Sequence, residues 1–303
     1  MRSSNDSLGI LMLEPGEKLY HYTTAEGVMG ICSGKFWATK SGFLNDTTEF
    51  QIAAEIFCEL MKESMRDKSR LCQLLSKVTK NVEGWQGDIE SLKQCGHHDG
   101  NYVVSFSLDY DSALMWSEYS GALGYCMCFD FERLNNSLED IETLHGKVVY
   151  NRNEQKQIMR LAIEQDYFAQ DEYPSLNAWH CFDSLVGDEL NLFCRHIAAE
   201  ICFLNMFFKQ PCFAGENEYR YVFMRTYSSN QVNPKHCVKQ HFRVRDGVFI
   251  PFVKERVRPF DGLESILIGP KNSSDLAARG LREFFRNNGA TVEVKRSGMP
   301  LRY

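Results

Sequence analysis

Pro211 marks an abrupt change of character, and that switch constrains the fold more than any other feature of the chain. Residues 175–209 read as helix, whereas Tyr219–Arg225, Phe242–Val244, Val248–Val253 and Ser265–Ile268 are short, rich in β-branched and aromatic residues, and read as strands. The earlier chain already mixes both elements. Lys18–Tyr22 is a short strand, Thr23 and Thr24 offer an N-cap, and Ala25–Cys32 has helical spacing until Gly34 stops it. Phe36–Thr39 is a second strand, and Phe43–Asp46 a turn. From Thr48 to about Lys80, Phe50, Ala53, Ala54, Phe57, Leu60 and Met61 recur at three and four, which predicts an amphipathic helix. Asn101–Leu108 is a strand that places Ser105 and Ser107 on one face.

Asp109–Tyr119 then predicts a helix, Gly124–Phe131 and Gly146–Tyr150 strands, and Asn153–Ala169 a helix. A closing helix over Ser274–Asn287, capped by Ser273 and ended near Gly289, leads into a last strand at Thr291–Lys295. Neither a repeat nor a low-complexity linker interrupts this order. It predicts a single α+β domain over residues 1–303, with helical insertions at about 47–95 and 153–209.

Composition sets the function classes that fit. A chain of 303 residues with 44% hydrophobic and 13% aromatic content can build a large core. A formal charge of -6, from 34 basic and 40 acidic residues, argues against bulk binding to a nucleic-acid backbone. Eleven cysteines, an odd count, with no secretory leader pattern, fit reduced thiols in the cytoplasm. Ile197–Phe208 is the most apolar segment, and it is interrupted by Glu200 and too short to span a bilayer; no membrane association is expected.

Four polar groups lie on or beside strands: His21 with Tyr22, Asn45 with Asp46, Ser105 with Ser107, and Glu216 with Glu218. Each has a plain structural explanation. A strand-end histidine is commonly a satisfied core residue, the serines suit a solvent face, and Asn45-Asp46 suits turn and cap chemistry. In Glu216-Asn217-Glu218-Tyr219-Arg220, alternation places Glu216, Glu218 and Arg220 on one face and Tyr219 and Tyr221 on the other, and the plain explanation of the charged face is a cross-sheet ion pair.

Taken in order, these motifs resemble a known bacterial family. His21-Tyr22-Thr23, Leu44-Asn45-Asp46 with Glu49, Ser105-Phe106-Ser107, Met115-Trp116 with Tyr119, Gly124 with Phe129-Asp130, Glu216-x-Glu218-Tyr219-Arg220, Ile268-Gly269-Pro270 and Ser297–Pro300 with Arg302 are similar to domain of unknown function 2971. The resemblance runs from about residue 18 to 302. The motif order in turn resembles ADP-ribosyltransferases, which present a first-strand His or Arg, a middle Ser-x-Ser and a late Glu, often Glu-x-Glu. His-first members usually carry paired tyrosines instead of Ser-x-Ser, so this chain combines two patterns.

That resemblance implies a split antiparallel or mixed β-sheet sandwich of ADP-ribosyltransferase type, NAD as substrate, and an unknown protein or nucleic-acid acceptor. Glu218 would stabilise the positive ribose formed as the nicotinamide bond breaks, and Glu216 would orient or deprotonate the acceptor. His21, Tyr22, Asn45, Ser105, Ser107, Tyr119 and Arg220 would form the cofactor-binding walls, with Tyr22 and Tyr119 able to stack on a ring. An NAD glycohydrolase is the near alternative, and a non-catalytic nucleotide- or protein-binding module, with Glu218 and Arg220 as a structural pair, the distant one. The resemblance also suggests a role as a toxin or in phage defence. Cys95-Gly-His97-His98 lacks paired metal-ligand spacing, so no metal is expected.

Overall fold

Thr24 Oγ1 accepts a hydrogen bond from the Gly27 amide at 3.3 Å, and this cap turns the first strand, β1 (Lys18–Thr23), into the first helix, α1 (Ala25–Cys32). Gly34, at φ +85°, ends the helix as the sequence predicts, and β2 (Lys35–Lys40) follows. The computed structural model describes residues 12–45, 52–64, 101–120, 123–138, 143–168, 186–188, 190, 200–225 and 239–300. Within them lie α2 (Ile52–Ser64), β3 (Asn101–Ser107), α3 (Ala113–Glu118), β4 (Tyr125–Asp130), α4 (Phe131–Leu138), β5 (Thr143–Lys147) and α5 (Arg152–Phe168). After a 3-10 turn at Pro211–Glu216 come β6 (Glu218–Met224), β7 (His241–Arg245), β8 (Val248–Arg256), β9 (Leu263–Ile268), α6 (Asp275–Asn287) and β10 (Glu293–Arg296).

The strands form one large mixed sheet of ten, ordered β10-β9-β4-β1-β3-β2-β8-β7, from which β6 and β5 branch at β3. The fold is thus α+β, built on one large, open, connected mixed sheet. The reason lies in β3. One of its edges pairs with β6 along its full length, from Asn101 opposite Met224 to Ser107 opposite Glu218. The other edge is shared: β1 meets it only at Tyr20 opposite Ser107, and β2 only at Thr39 opposite Val103 and Lys40 opposite Tyr102. Beyond those contacts β1 and β2 diverge, and the sheet splits.

Alternation gives the sheet two apolar faces. Tyr102, Val104 and Phe106 join Tyr219, Tyr221 and Phe223 in one buried cluster with residues of α1, α4 and α6. Val103 and Val222 join the other, with α2, α5 and Ile201 to Phe208. No helix among the described residues is long and apolar enough to cross a membrane.

Several boundaries differ from the sequence reading. The helix expected over 109–119 is confined to α3 because Asp111 adopts φ 56°, outside helical space. The strand expected at Gly146–Tyr150 lies at 143–147, where it pairs with β6, and Val149 makes only an isolated bridge to Phe208. Helix α4 was not anticipated, although Asp130 Oδ1 accepts from the Arg133 amide at 3.0 Å in the manner of an N-cap. Ser274, not Ser273, caps α6. The predicted helix over 48–80 is seen as α2; the rest of it, Asp46, Glu49, the Cys95–His98 loop, most of 175–199 and Arg302 fall outside the described residues.

Candidate functional site

The split in the sheet opens a cleft of about 720 Å³, walled by β1, α1, β2, the middle of β3, Tyr119, Glu216, β6 and the β7–β8 hairpin. That size falls in the range of small-molecule sites. The cleft collects His21, Tyr22, Asn45, Ser105, Tyr119, Glu216, Glu218 and Arg220 from segments far apart in sequence. Ser107 alone of the expected set is absent from the walls. It is fully buried, and its hydroxyl donates to the Glu216 carbonyl at 2.8 Å.

That bond is one of several that fix the two glutamates. The Leu108 amide donates to the Asn217 carbonyl at 2.8 Å, and Asn217 Nδ2 donates to Asp109 Oδ1 at the same distance. Asn217 adopts the left-handed conformation, φ 42°, which Asn tolerates better than most residues. Glu216 therefore ends the 3-10 turn and does not belong to the strand, contrary to simple alternation. A left-handed residue between the two glutamates brings their carboxylates to one cluster by a turn.

The cluster is dense with charge. Arg220 binds Glu218 through Nε at 2.6 Å and Nη2 at 3.0 Å, and Nη1 donates to the Met206 carbonyl at 2.9 Å. Lys209 Nζ stands 2.5 Å from Glu216 and 3.3 Å from Glu218. Tyr119 Oη donates to Glu216 Oε1, and Asn45 Nδ2 donates both to that oxygen at 3.2 Å and to Tyr119 Oη at 2.6 Å. Two carboxylates face two cations, so the group is formally neutral, and none of the four is more than 6% exposed. Burial alone would raise the Glu218 carboxyl; Arg220, then Lys209, and a hydrogen bond from Ser105 outweigh it and hold the carboxyl down at about 2. Burial and the bond to Glu216 push the Tyr119 hydroxyl well above its ordinary range.

His21 occupies the split itself. Ser105 lies between the points where β1 and β2 touch β3, and His21 Nδ1 donates to its carbonyl at 2.9 Å. A carbonyl only accepts, so Nδ1 carries the proton and Nε2 of the neutral ring is an acceptor. Burial, aided by the Arg243 charge, lowers the imidazole to about 4 and keeps it neutral. Register places Tyr20 and Tyr22 on the face of Ser105 and Glu218, and His21 on the opposite one. The imidazole thus borders the cleft because the strands part there, not because it shares a face with the glutamates.

Tyr22 is largely structural. Its hydroxyl donates to the Asp109 carbonyl at 2.8 Å and accepts from the Ser112 amide at 2.9 Å, and its ring meets Trp116 edge-on at 4.9 Å. Asp111 of the same loop accepts from Trp116 Nε1 at 2.7 Å, Ser297 Oγ at 2.5 Å and the Gly298 amide at 3.0 Å, so the C-terminal Ser297 motif clamps this wall. Lys209, Tyr150 and Arg243 were not expected at the site. Tyr150 Oη accepts from the Glu218 amide at 3.0 Å. Lys209 had one available signal: it is a charged residue closing the apolar run that ends at Phe208.

The family comparison falls on this cluster. Residues 115–221 match a family described as Protein of unknown function (DUF2971). The DUF2971 match begins inside α3 and ends inside β6, so it takes in Tyr119, Lys209, Glu216, Glu218 and Arg220, while His21, Asn45 and Ser105 lie before it. It supports the resemblance to that family over this stretch. No curated protein and no solved structure gives a significant match.

Proposed function

We propose that the cleft binds NAD and breaks its nicotinamide glycosidic bond in an ADP-ribosyltransferase-like reaction, on a split sheet of that type. One observation carries the reading: the parting of β1 from β2 brings His21, Ser105 and the Glu216–Glu218 pair to the walls of one hollow of small-molecule size. Glu218, kept ionised by Arg220 and Lys209, faces the positive charge that builds on the ribose. His21, with Nε2 as an acceptor, receives a hydrogen bond from a ribose hydroxyl. Ser105 braces Glu218.

In this scheme the bond from C1′ to the nicotinamide nitrogen breaks and its electron pair leaves with nicotinamide. A lone pair of the acceptor forms the new bond to C1′, and the acceptor proton passes to Glu216, which Tyr119 and Asn45 hold in place. With water as acceptor the same steps make an NAD glycohydrolase, whose product is free ADP-ribose.

A second reading has its own support. The bidentate Arg220–Glu218 pair cancels much of the field that a carboxylate would apply to a cationic ribose, which suits a module that holds a nucleotide without cleaving it. Radiolabelled NAD incubated with the full chain and cell lysate separates the three. Label on macromolecules supports transfer, free ADP-ribose supports the glycohydrolase, and intact NAD retained by the protein supports the module. No binding and no turnover removes all three.

A further inference from the structure

Among the described residues, the buried carboxylates of the cleft are matched by cations, whereas Arg243 is a cation of the cleft that no carboxylate matches. Arg243, on β7, donates from Nη2 to Thr39 Oγ1 at 2.8 Å, and no acidic side chain pairs with it among the described residues. Burial, with Arg245 nearby, lowers the Arg243 pKa, the cost of sequestering a cation without a counterion. Arg245 stands two residues on, hence on the same face of β7. It also lines the cleft, with Nη2 3.4 Å from the Glu118 carbonyl and Nε 3.6 Å from the exposed carboxylate of Asp246. A guanidinium presents donors in a rigid fork that fits the oxygens of a phosphate.

We infer that Arg243 and Arg245 form an anion subsite on the β7 wall that takes the diphosphate of a nucleotide. The assignment of that diphosphate to NAD rests on the reading above. It directs the diphosphate toward β7 and the nicotinamide ribose toward β3 and β6. Salt weakens binding at such a site.

Calorimetric titration of the full chain with ADP-ribose, adenosine and inorganic pyrophosphate tests this. Wild type is expected to bind ADP-ribose more tightly than adenosine. Arg243→Gln is expected to weaken ADP-ribose binding by about tenfold or more, the worth of a charge-assisted hydrogen bond, and to leave adenosine binding unchanged. Unaltered ADP-ribose binding by a folded Arg243→Gln, or an equal loss for adenosine, overturns the subsite. Should Arg243→Gln fail to fold, Arg245→Gln, at an exposed position, reports instead: a several-fold loss for ADP-ribose alone supports the subsite, and no loss overturns it. Arg243-dependent binding of pyrophosphate with none of ADP-ribose keeps an anion site on β7 but overturns its assignment to a nucleotide diphosphate and removes the NAD reading. Binding of no probe removes both.

Discussion

Arg220 grips Glu218 along one edge of its guanidinium, Nε at 2.6 Å and Nη2 at 3.0 Å, although the two side chains leave β6 only two residues apart. Both are almost completely buried, so the pair is stabilising only while it is intact. Glu218→Gln is expected to cost about 3–5 kcal/mol of stability, since it leaves a buried cation undercompensated. Urea unfolding checks this, and a loss below about 1 kcal/mol would show the pair to be solvated. Loss of turnover in this variant is therefore uninformative unless its folding is shown to be intact.

Tyr119→Phe provides a milder perturbation of the same cluster. It removes the hydroxyl that donates to Glu216 and accepts from Asn45, while Lys209 still pairs with the carboxylate. The expected destabilisation is about 1–2 kcal/mol, with slower nicotinamide release if Glu216 handles the acceptor. Unchanged nicotinamide release at unchanged stability would separate Tyr119 from the chemistry.

Acid should act in two stages. His21 and His145 are both lowered to about 4 by burial, so below about pH 6.5 the unfolded chain takes up protons that the folded one refuses. Stability from these rings is fully present above pH 6.5 and declines as the pH falls to about 4. Glu218, depressed to about 2, adds a second loss as the pH falls from the ordinary carboxylate range through about 2. Urea midpoints at pH 7.5, 5 and 3.5 should fall in that order, and a flat profile from 7.5 to 5 would place both rings in water.

Gly34→Ala tests the turn that sets β2 apart from β1. The residue sits at φ +85°, and a Cβ there would lie 2.8 Å from the Val257 carbonyl. A loss of about 1–3 kcal/mol is expected in thermal unfolding, and a neutral outcome would mean that the turn relaxes freely.

Local chemistry made much of this structure legible in sequence. The Thr24 cap, Gly34 stop and strand-dense Asn101–Leu108 each follow from one or two residues and emerged at or within a residue of the expected places. Alternation failed at Glu216, because the left-handed Asn217 breaks the strand pattern in a way that residue type alone does not announce. Lys209 and Arg243 escaped for a different reason. Each acquires its meaning only from folding: Lys209 is turned back onto Glu216 by the 3-10 turn between them, and Arg243 reaches Thr39 because the β7–β8 hairpin folds against β2. The split at β3 is likewise a property of register, invisible until both of its neighbours are placed.

Hydrogen exchange of the full chain with and without NAD tests most directly whether this split is a dinucleotide site. The account predicts slower exchange in β1, in the middle of β3 and in the β7–β8 hairpin, with α6 and β10 unchanged. Protection confined to α6 and β10, or none at saturating NAD, would contradict it.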